Sequence, residues 1–374
     1  MGTINQQDRI TRREFLEFSS VALATAGLLG DGSAAKAAEM VSTVDTTQSG
    51  TTLMARKIAL EEHFVLPENV DTTYAIRDLP TPELRQKVLD VGGGRIAEMD
   101  RGGVEISILS HAAVGAQTIL DIPQAIAFSR RANDYLAEHI AKYPKRLKGF
   151  ATLPMQDPQV AAPELTRCIR ELDFCGALVN GFTQVGAADS AVFYDLPQYR
   201  GFWATVQELD VPFYLHPRAP LPTRQQAYEG YTWLSGSPWG FGVETSIHAL
   251  RLMSSGLFDE YPKLKVILGH LCEGLPFGIW RVDHRISRGS GTPKAKLPMA
   301  RYLRENFYIT TSGNFHTPAL ANVILEVGAD RVLYSVDYPF EDMIEARDWF
   351  DQASIGDSDR MKIASGNAQK LFHL

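Results

Sequence analysis

Eight short apolar runs recur along this 374-residue chain, separated by longer stretches in which apolar residues have helical spacing. The runs occupy 57–60, 104–109, 147–153, 176–180, 212–216, 265–270, 306–311 and 331–337. They are mostly apolar rather than alternating, which is typical of parallel strands buried on both faces. No G-x-G-x-x-G follows a strand, which disfavours a dinucleotide-binding fold. The pattern therefore predicts an α/β fold of the (β/α)8 TIM barrel type.

Polar residues stand where several of these strands end. Glu61 and His63 follow the first strand and are two residues apart, so an extended chain points both to one side. His216, His270 and Asp337 lie at the ends of the fifth, sixth and eighth strands. The carboxyl ends of barrel strands meet at the face that carries the chemistry. Carboxylates and imidazoles bind Zn²⁺, Mn²⁺ or Fe²⁺, so we predict a divalent metal site there.

The remaining histidines divide into two groups. His139 and His248 fall within helical stretches and are expected to be surface or packing residues, and His373 is terminal. Three others lie near strand ends or in loops and are candidates for lining a pocket: His111, His284 and His316. A further candidate, a lid, is suggested after the first strand, where Pro67, Pro80 and Pro82 interrupt the helical pattern.

Composition excludes several classes of protein. The net charge is -7 and no Lys/Arg-rich stripe is visible, so we expect no nucleic-acid partner. The 3 cysteines form no C-x-x-C pair, which argues against a disulfide framework and a zinc finger.

The first 55 residues differ from the rest. Arg12 and Arg13 precede a mild apolar run at 21–29, and Ala35-Lys36-Ala37 matches an A-x-A cleavage pattern. This resembles a twin-arginine export signal at 1–37, with a disordered basic leader as the alternative. A Thr/Ser-rich linker follows at 38–55, and the barrel domain occupies 56–374. The apolar run is too short for a permanent membrane anchor, so we expect a periplasmic protein, or a cytoplasmic one if the leader does not function.

Several long, ordered motifs resemble a known family over 57–374. They are ALEEHF at 59–64, LPMQDP at 153–158, YLHPR at 214–218, GHLCEGLPF at 269–277, WRVDHR at 280–285, TTSGNF at 310–315 and SVDYPF at 335–340. They are similar to the amidohydrolase-related barrel enzymes, in the group of non-oxidative decarboxylases that includes aminocarboxymuconate semialdehyde decarboxylase. The resemblance is strongest to the dihydroxybenzoate (γ-resorcylate-type) decarboxylases.

The resemblance implies roles for individual residues. One divalent metal ion per chain, Zn²⁺ or Mn²⁺, would be held by Glu61, His63, His216 and Asp337. His270 would be a catalytic histidine held by Glu273, and Arg281 would contact the substrate carboxylate or a neighbouring subunit. A homodimer or homotetramer is implied. Cys272 departs from the family pattern, because the subgroup often has glycine there.

The implied reaction removes CO2 from a small hydroxylated aromatic carboxylate. Asp337 would donate a proton to the ring carbon that carries the carboxylate, and His270 would hold or relay a proton. Phe64, Phe340 and Trp239 are candidates for packing against the ring faces.

Two alternatives stay open from the residues alone. A metal-dependent hydrolase such as a lactonase would use the metal to activate water, and Asp337 would take its proton. An exported non-catalytic binding protein is the third reading, although the intact set of Glu, His and Asp residues argues against it.

Overall fold

The computed structural model describes residues 56–72 and 81–374, which belong to a compact unit spanning Met54–Leu374. The predicted signal at 1–37, the linker at 38–55 and Pro80 lie outside the described residues. Each of the eight predicted strands forms: β1 Lys57–Phe64, β2 Val104–His111, β3 Leu147–Gly149, β4 Ala177–Asn180, β5 Phe213–His216, β6 Val266–Leu268, β7 Phe307–Thr310 and β8 Val332–Leu333.

The strands run parallel in two sheets, with the orders β1-β2-β3 and β4-β5-β6-β7-β8. An isolated parallel bridge between Ala151 and Ala177 joins the two sheets on one side. On the other side, the N–H of His63 donates to the carbonyl of Tyr338 at 2.6 Å. The Ser335 hydroxyl also accepts from the N–H of Glu61 at 2.7 Å. These contacts close the ring that the sequence predicted, a (β/α)8 barrel.

Helices alternate with the strands, as the apolar spacing predicts. They are α1 Pro82–Leu89, α2 Gly93–Gly102, α3 Ile122–Ile140, α4 Pro158–Glu171, α5 Arg200–Glu208, α6 Gly240–Ser254, α7 Leu257–Glu260, α8 Leu275–Ser287, α9 Met299–Asn306, α10 Thr317–Val327, α11 Met343–Gln352, α12 Asp357–Met361 and α13 Asn367–Phe372. Within the described ranges, none of these helices combines the length and apolarity needed to cross a membrane.

Two apolar layers hold the barrel together. Side chains from around the ring, such as Ile58, Ile108, Leu178 and Ile267, are almost fully buried and fill its interior. A larger layer packs the outer faces of the strands against the helices. Burial on both faces explains why the strands read as continuous apolar runs.

All eight strands differ from their predicted bounds by one or more residues, and the differences in β1 and β8 bear on the site. β1 continues from the predicted end at 60 to Phe64, and its polar residues are as buried as its apolar ones. β8 is short because the chain beyond Leu333 finds other partners: the N–H of Tyr334 donates to the carbonyl of Ile363 at 3.0 Å. Both differences lie at the carboxyl ends of the strands, the end of the barrel where the predicted ligands lie.

Candidate metal centre and active site

Four side chains converge at the carboxyl ends of the strands. Glu61, His63, His216 and Asp337 each offer one ligand atom, and these atoms lie within 4.8 Å of one another. Nε2 of His216 is 3.1 Å from Oε1 of Glu61, and Nε2 of His63 is 3.2 Å from Oδ1 of Asp337. The structure thus brings together the four predicted ligands, and their role in binding a metal stays a prediction that this geometry supports.

A bulge in β1 places the first two of these residues. Ala59 pairs with Ser107, whereas Glu62 pairs with Leu109, so three steps along β1 match two along β2. Such a bulge re-aims the side chains that follow it. Leu60 therefore fills the barrel interior while Glu61, the next residue, also turns into the site.

Both histidines in the cluster have one ring nitrogen engaged elsewhere. Nδ1 of His216 donates to the carbonyl of Pro217 at 2.9 Å, which leaves Nε2 as a lone-pair donor toward the cluster. Nδ1 of His63 pairs with the Ser110 hydroxyl at 3.1 Å. Metal-binding histidines are generally oriented in this way through their other nitrogen.

The buried polar atoms at the centre fit a divalent cation. Glu61 Oε1, His63 Nε2 and Asp337 Oδ1 are buried, and none of them makes a hydrogen bond with the described residues. Unpaired buried polar atoms cost free energy, so three that face one another need a common partner. Two carboxylates and two imidazoles form a donor set suited to Mn²⁺ or Zn²⁺.

His270 and Glu273 form a pair beside this cluster. His270, Leu271, Cys272 and Glu273 all have positive φ values between 52° and 67°, followed by Gly274 at 81°. This single left-handed turn puts residues three apart on one side, and Nδ1 of His270 lies 2.7 Å from Oε1 of Glu273. Non-glycine residues rarely adopt this conformation, and such strain concentrates at functional sites.

The opposite nitrogen of His270 faces the predicted ligands. Its Nε2 lies 3.6 Å from Oδ2 of Asp337 and 3.6 Å from Oε1 of Glu61. The pair with Glu273 is the predicted one, and it lies next to the cluster. A catalytic role for the pair is not established by its position and stays a prediction.

Burial and neighbouring charges shift the pKa values of His270 and Glu61 in opposite directions. Burial alone would lower the pKa of His270, but the charges of Glu61 and Glu273 raise it well above its usual range. For Glu61, burial acts to raise the pKa, and the neighbouring charge of His270 and the contact with His216 lower it. The site therefore favours an anionic Glu61 beside a cationic His270.

A cavity of about 780 Å³ opens over these groups. His270, Glu273, Asp337 and Glu341 supply its charged lining. Its other walls are largely apolar and come from the start of α6 and the segment before it, including Trp239, Phe241, Val243 and Ile247. An aromatic ring and a charged group can be accommodated at opposite ends of such a cavity.

Not every predicted site residue reaches this cavity. Phe64 is buried in the outer core, where it stacks on Tyr135 with ring centroids 6.0 Å apart. Alternation along β1 explains this, because His63 points inward and its neighbour must point outward. Phe340 lies outside the cavity lining, although its ring is 5.6 Å from that of His63. Arg281 is exposed on α8, also outside the lining.

The three histidines predicted as pocket candidates do not line this cavity either. Both ring nitrogens of His111 pair with the backbone, at Leu66 and Ala112, which marks a structural residue. His284 stacks on Trp280 in α8, and His316 is the exposed residue that precedes α10.

Some residues at the site were missed from the sequence. Tyr214, Thr310 and Ser312 surround one oxygen of Glu61, and Glu341 lines the cavity. Burial and the nearby charge of Asp337 raise the pKa of Glu341 to about 7. A signal for two of the hydroxyls existed in the polar run Thr310-Thr311-Ser312, which begins at the last residue of β7.

The sequence of this chain is similar to those of named enzymes. A family model described as amidohydrolase matches residues 93–374. The γ-resorcylate decarboxylase of Polaromonas sp. strain JS666 is 55% identical over 324 residues, covering 86% of this chain and 99% of that protein. The γ-resorcylate decarboxylase of Rhizobium sp. strain MTP-10005 is 52% identical over the same shares.

A solved structure agrees with these relatives. The Polaromonas sp. JS666 dihydroxybenzoic acid decarboxylase, crystallised with manganese and the inhibitor 2-nitroresorcinol, superimposes with a TM-score of 0.83. It is 54% identical in sequence, and the match covers 86% of this chain and 98% of that one. The chain belongs to the amidohydrolase family, within the group of γ-resorcylate decarboxylases.

Proposed function

We propose that this protein is a metal-dependent, non-oxidative carboxy-lyase that converts 2,6-dihydroxybenzoate to resorcinol and CO2. The observation that carries the proposal is the placement of the two oxygens of Asp337. Oδ1 faces the cluster of predicted ligands, 3.2 Å from Nε2 of His63, and Oδ2 faces His270 at 3.6 Å. One carboxyl group can thus stand between the metal site and a proton source.

The charge of the cavity explains why a metal would be needed. Glu273, Asp337 and Glu341 supply three carboxyl groups to the cavity, against the one cationic side chain of His270, and the described lining residues include no lysine or arginine. An aromatic carboxylate would be repelled by this lining. A bound divalent cation would supply the positive charge that attracts the carboxylate and ortho-hydroxyl oxygens of the substrate.

The protein's own residues would move one proton. The ring carbon that bears the carboxylate must gain a proton before the bond to CO2 breaks, because a free aryl anion is too unstable. Asp337 would donate that proton, and the bond electrons left by CO2 would restore the aromatic ring. His270, cationic and held at Nδ1 by Glu273, would return a proton to Asp337.

The walls of the cavity would set the orientation of the ring. Trp239 and Phe241 would present aromatic surface to the ring, since both residues line the cavity. Holding the ring there keeps the reacting carbon near Asp337 and excludes water from it.

The test is an assay of the metal-loaded protein with a panel of hydroxybenzoates. We expect 2,6-dihydroxybenzoate to give CO2 and resorcinol without oxygen or an organic cofactor, and benzoate to be inert. In D2O, the product should carry one deuterium on the carbon that held the carboxylate. Hydrolysis of aryl lactones in the same assay, with no loss of CO2, would replace this proposal with a hydrolase.

We further propose Mn²⁺ as the metal, since a related structure contains manganese. Parallel loading of metal-stripped protein with Mn²⁺ and Zn²⁺ distinguishes the two, and higher turnover with Zn²⁺ would overturn this choice.

Two wider proposals concern assembly and location. We propose a homodimer or homotetramer with the segment 280–285 of α8 at the contact, supported by the exposed rings of Phe277 and Trp280 on that helix. Export by the twin-arginine route is proposed from the sequence of residues 1–37. Fusion of this leader to a reporter protein, followed by fractionation, tests the export proposal. A reporter that stays in the cytoplasm would contradict it.

A further inference from the structure

The two oxygens of Glu61 have different surroundings. Oε1 faces the cluster of predicted ligands and makes no hydrogen bond with the described residues. Oε2 accepts from the hydroxyls of Tyr214 and Ser312, and Thr310 lies 3.4 Å away. Oε2 therefore has hydrogen-bond donors around it, whereas Oε1 has none among the described residues.

The three hydroxyls form one connected group. Oγ1 of Thr310 is 2.8 Å from the hydroxyl of Tyr214 and 2.9 Å from that of Ser312. All three side chains are fully buried.

The same group reaches the left-handed turn. The N–H of His270 donates to Oγ of Ser312 at 3.1 Å, and Ser312 in turn donates to Oε2 of Glu61. Asn314, two residues on, donates to the carbonyl of His270 at 3.2 Å. The end of β7 therefore fixes both a predicted ligand and the predicted catalytic histidine.

Little space remains around the engaged oxygen. A Cβ atom at Gly269 would lie 2.7 Å from Oε2 of Glu61, closer than ordinary packing allows. Glycine at this position permits the backbone before His270 to pass directly beside the carboxylate. Hydroxyl groups and the backbone of Gly269 thus both approach Oε2 of Glu61.

From these contacts we propose that Tyr214, Thr310 and Ser312 are positioning residues that restrict Glu61 to binding the metal through a single oxygen. This inference rests on the metal site of the proposed function. A carboxylate that binds through two oxygens occupies an additional coordination position. By holding Oε2 away, the hydroxyls keep that position available to the oxygens of the substrate.

The test removes single hydroxyls and measures metal binding directly. Tyr214→Phe keeps the ring that packs against Phe150, and Ser312→Ala removes the link to His270. Tyr199→Phe is the matched control, because it removes a buried hydroxyl that donates to the carbonyl of Met155. Metal-stripped wild type and variants are titrated with Mn²⁺, and free Mn²⁺ is followed by electron paramagnetic resonance.

We expect the dissociation constant for Mn²⁺ to rise about 10- to 100-fold in Tyr214→Phe and Ser312→Ala, the usual range for groups that orient a ligand. Tyr199→Phe should bind Mn²⁺ as the wild type does. At saturating Mn²⁺, KM for 2,6-dihydroxybenzoate should rise more than kcat falls, because Glu61 would compete for the substrate's position.

Unchanged Mn²⁺ affinity in variants that melt as the wild type does would overturn the inference. If Tyr214→Phe does not fold, Ser312→Ala and Thr310→Val decide the question by the same titration. The titration needs no turnover, so a wild type that binds Mn²⁺ but releases no CO2 would overturn the proposed function alone.

Discussion

The two carboxylate oxygens of Asp337 face different neighbours. Asp337 follows β8 with a positive φ of 83°, an uncommon conformation for a residue other than glycine. Its oxygens point to His63 on one side and to His270 on the other. Because we propose both a ligand and a proton donor in this one carboxyl group, its substitution tests both roles at once.

We expect Asp337→Asn to abolish turnover even in the fraction of protein that still holds metal, because an amide cannot supply the proton. His216→Ala is the comparison, and it should lose both metal and activity because removing a ligand opens the site. Elemental analysis gives the metal content of each sample whose rate is measured. Substantial turnover by metal-loaded Asp337→Asn would remove the proton donor from this mechanism.

His270 allows the two roles at the site to be separated. We expect His270→Asn to retain the metal and to lose roughly a hundred- to ten-thousand-fold in rate, the usual worth of a general acid or base. The measurement pairs metal content with kcat under saturating substrate. Loss of metal in this variant would make His270 a ligand and require a different assignment of roles.

Two of the local departures from regular geometry form the site. The bulge in β1 turns Glu61 inward, and the left-handed turn at 270–273 brings His270 to Glu273. Each non-glycine residue in that turn costs about 1–2 kcal/mol of backbone strain. Two hydrogen bonds offset part of that cost: the carbonyl of His270 accepts from the side chain of Asn314, and the N–H of His270 donates to Oγ of Ser312.

His248 on helix α6 is buried and is not one of the predicted ligands or catalytic residues. Its Nε2 accepts a hydrogen bond from the N–H of Tyr194 at 3.1 Å. Burial and the charge of Arg251 lower its pKa from 6.5 to about 3. Between these values the unfolded chain binds a proton that the folded chain does not, so the free energy of unfolding falls as the pH drops below 6.5.

We therefore expect the free energy of unfolding of the wild type to fall by about 2 kcal/mol more than that of His248→Gln when the pH is lowered from 8 to 5. His373→Gln, which changes an exposed histidine, is the control and should behave as the wild type. Denaturant unfolding in the presence of a chelator provides the measurement and excludes effects of metal release. Parallel pH profiles for the wild type and His248→Gln would show that His248 is protonated in the folded protein.

Two features of the chain are not part of the predicted site: the leader and linker at 1–55, and an exposed apolar face on α8. The described fold begins at Arg56, and α8 exposes Phe277 and Trp280 with 88% and 69% of their surface accessible. Large apolar side chains that lie together on a surface generally mark contact sites. Both the leader and this helix face can be tested without reference to the reaction.

We expect a chain that starts at Arg56 to unfold at the same temperature as the full-length protein, because residues 1–37 have the composition of a signal and residues 38–55 that of a linker. Differential scanning calorimetry of the two proteins with the same metal content makes the comparison. A large loss of stability in the shorter chain would show that the leader packs on the barrel.

We expect sedimentation to show a dimer or larger assembly at micromolar concentration, and Trp280→Glu to shift it toward monomer by placing a charge in the contact. Leu325→Glu is the control, because Leu325 is also exposed, with 85% of its surface accessible, but lies on α10. A monomeric wild type would remove both the assembly and the subunit-contact role of Arg281.

Local patterns in the sequence were sufficient for the fold and for the outline of the site. Apolar runs separated by helical spacing predicted all eight strands, because burial on both faces leaves a signal in each strand by itself. The polar residues that end those strands predicted the cluster around Glu61 and Asp337, since parallel strands in a barrel place their carboxyl ends together.

Tertiary structure decided how those residues face one another. Nothing in the sequence signals the extra residue in β1 or the left-handed turn at His270, because both conformations exist only where neighbouring strands enforce them. The hydroxyls on Glu61 come from β5 and from the end of β7, more than 150 residues away along the chain. Such contacts carry no local pattern, since their free energy depends on the closed barrel that brings the strands together.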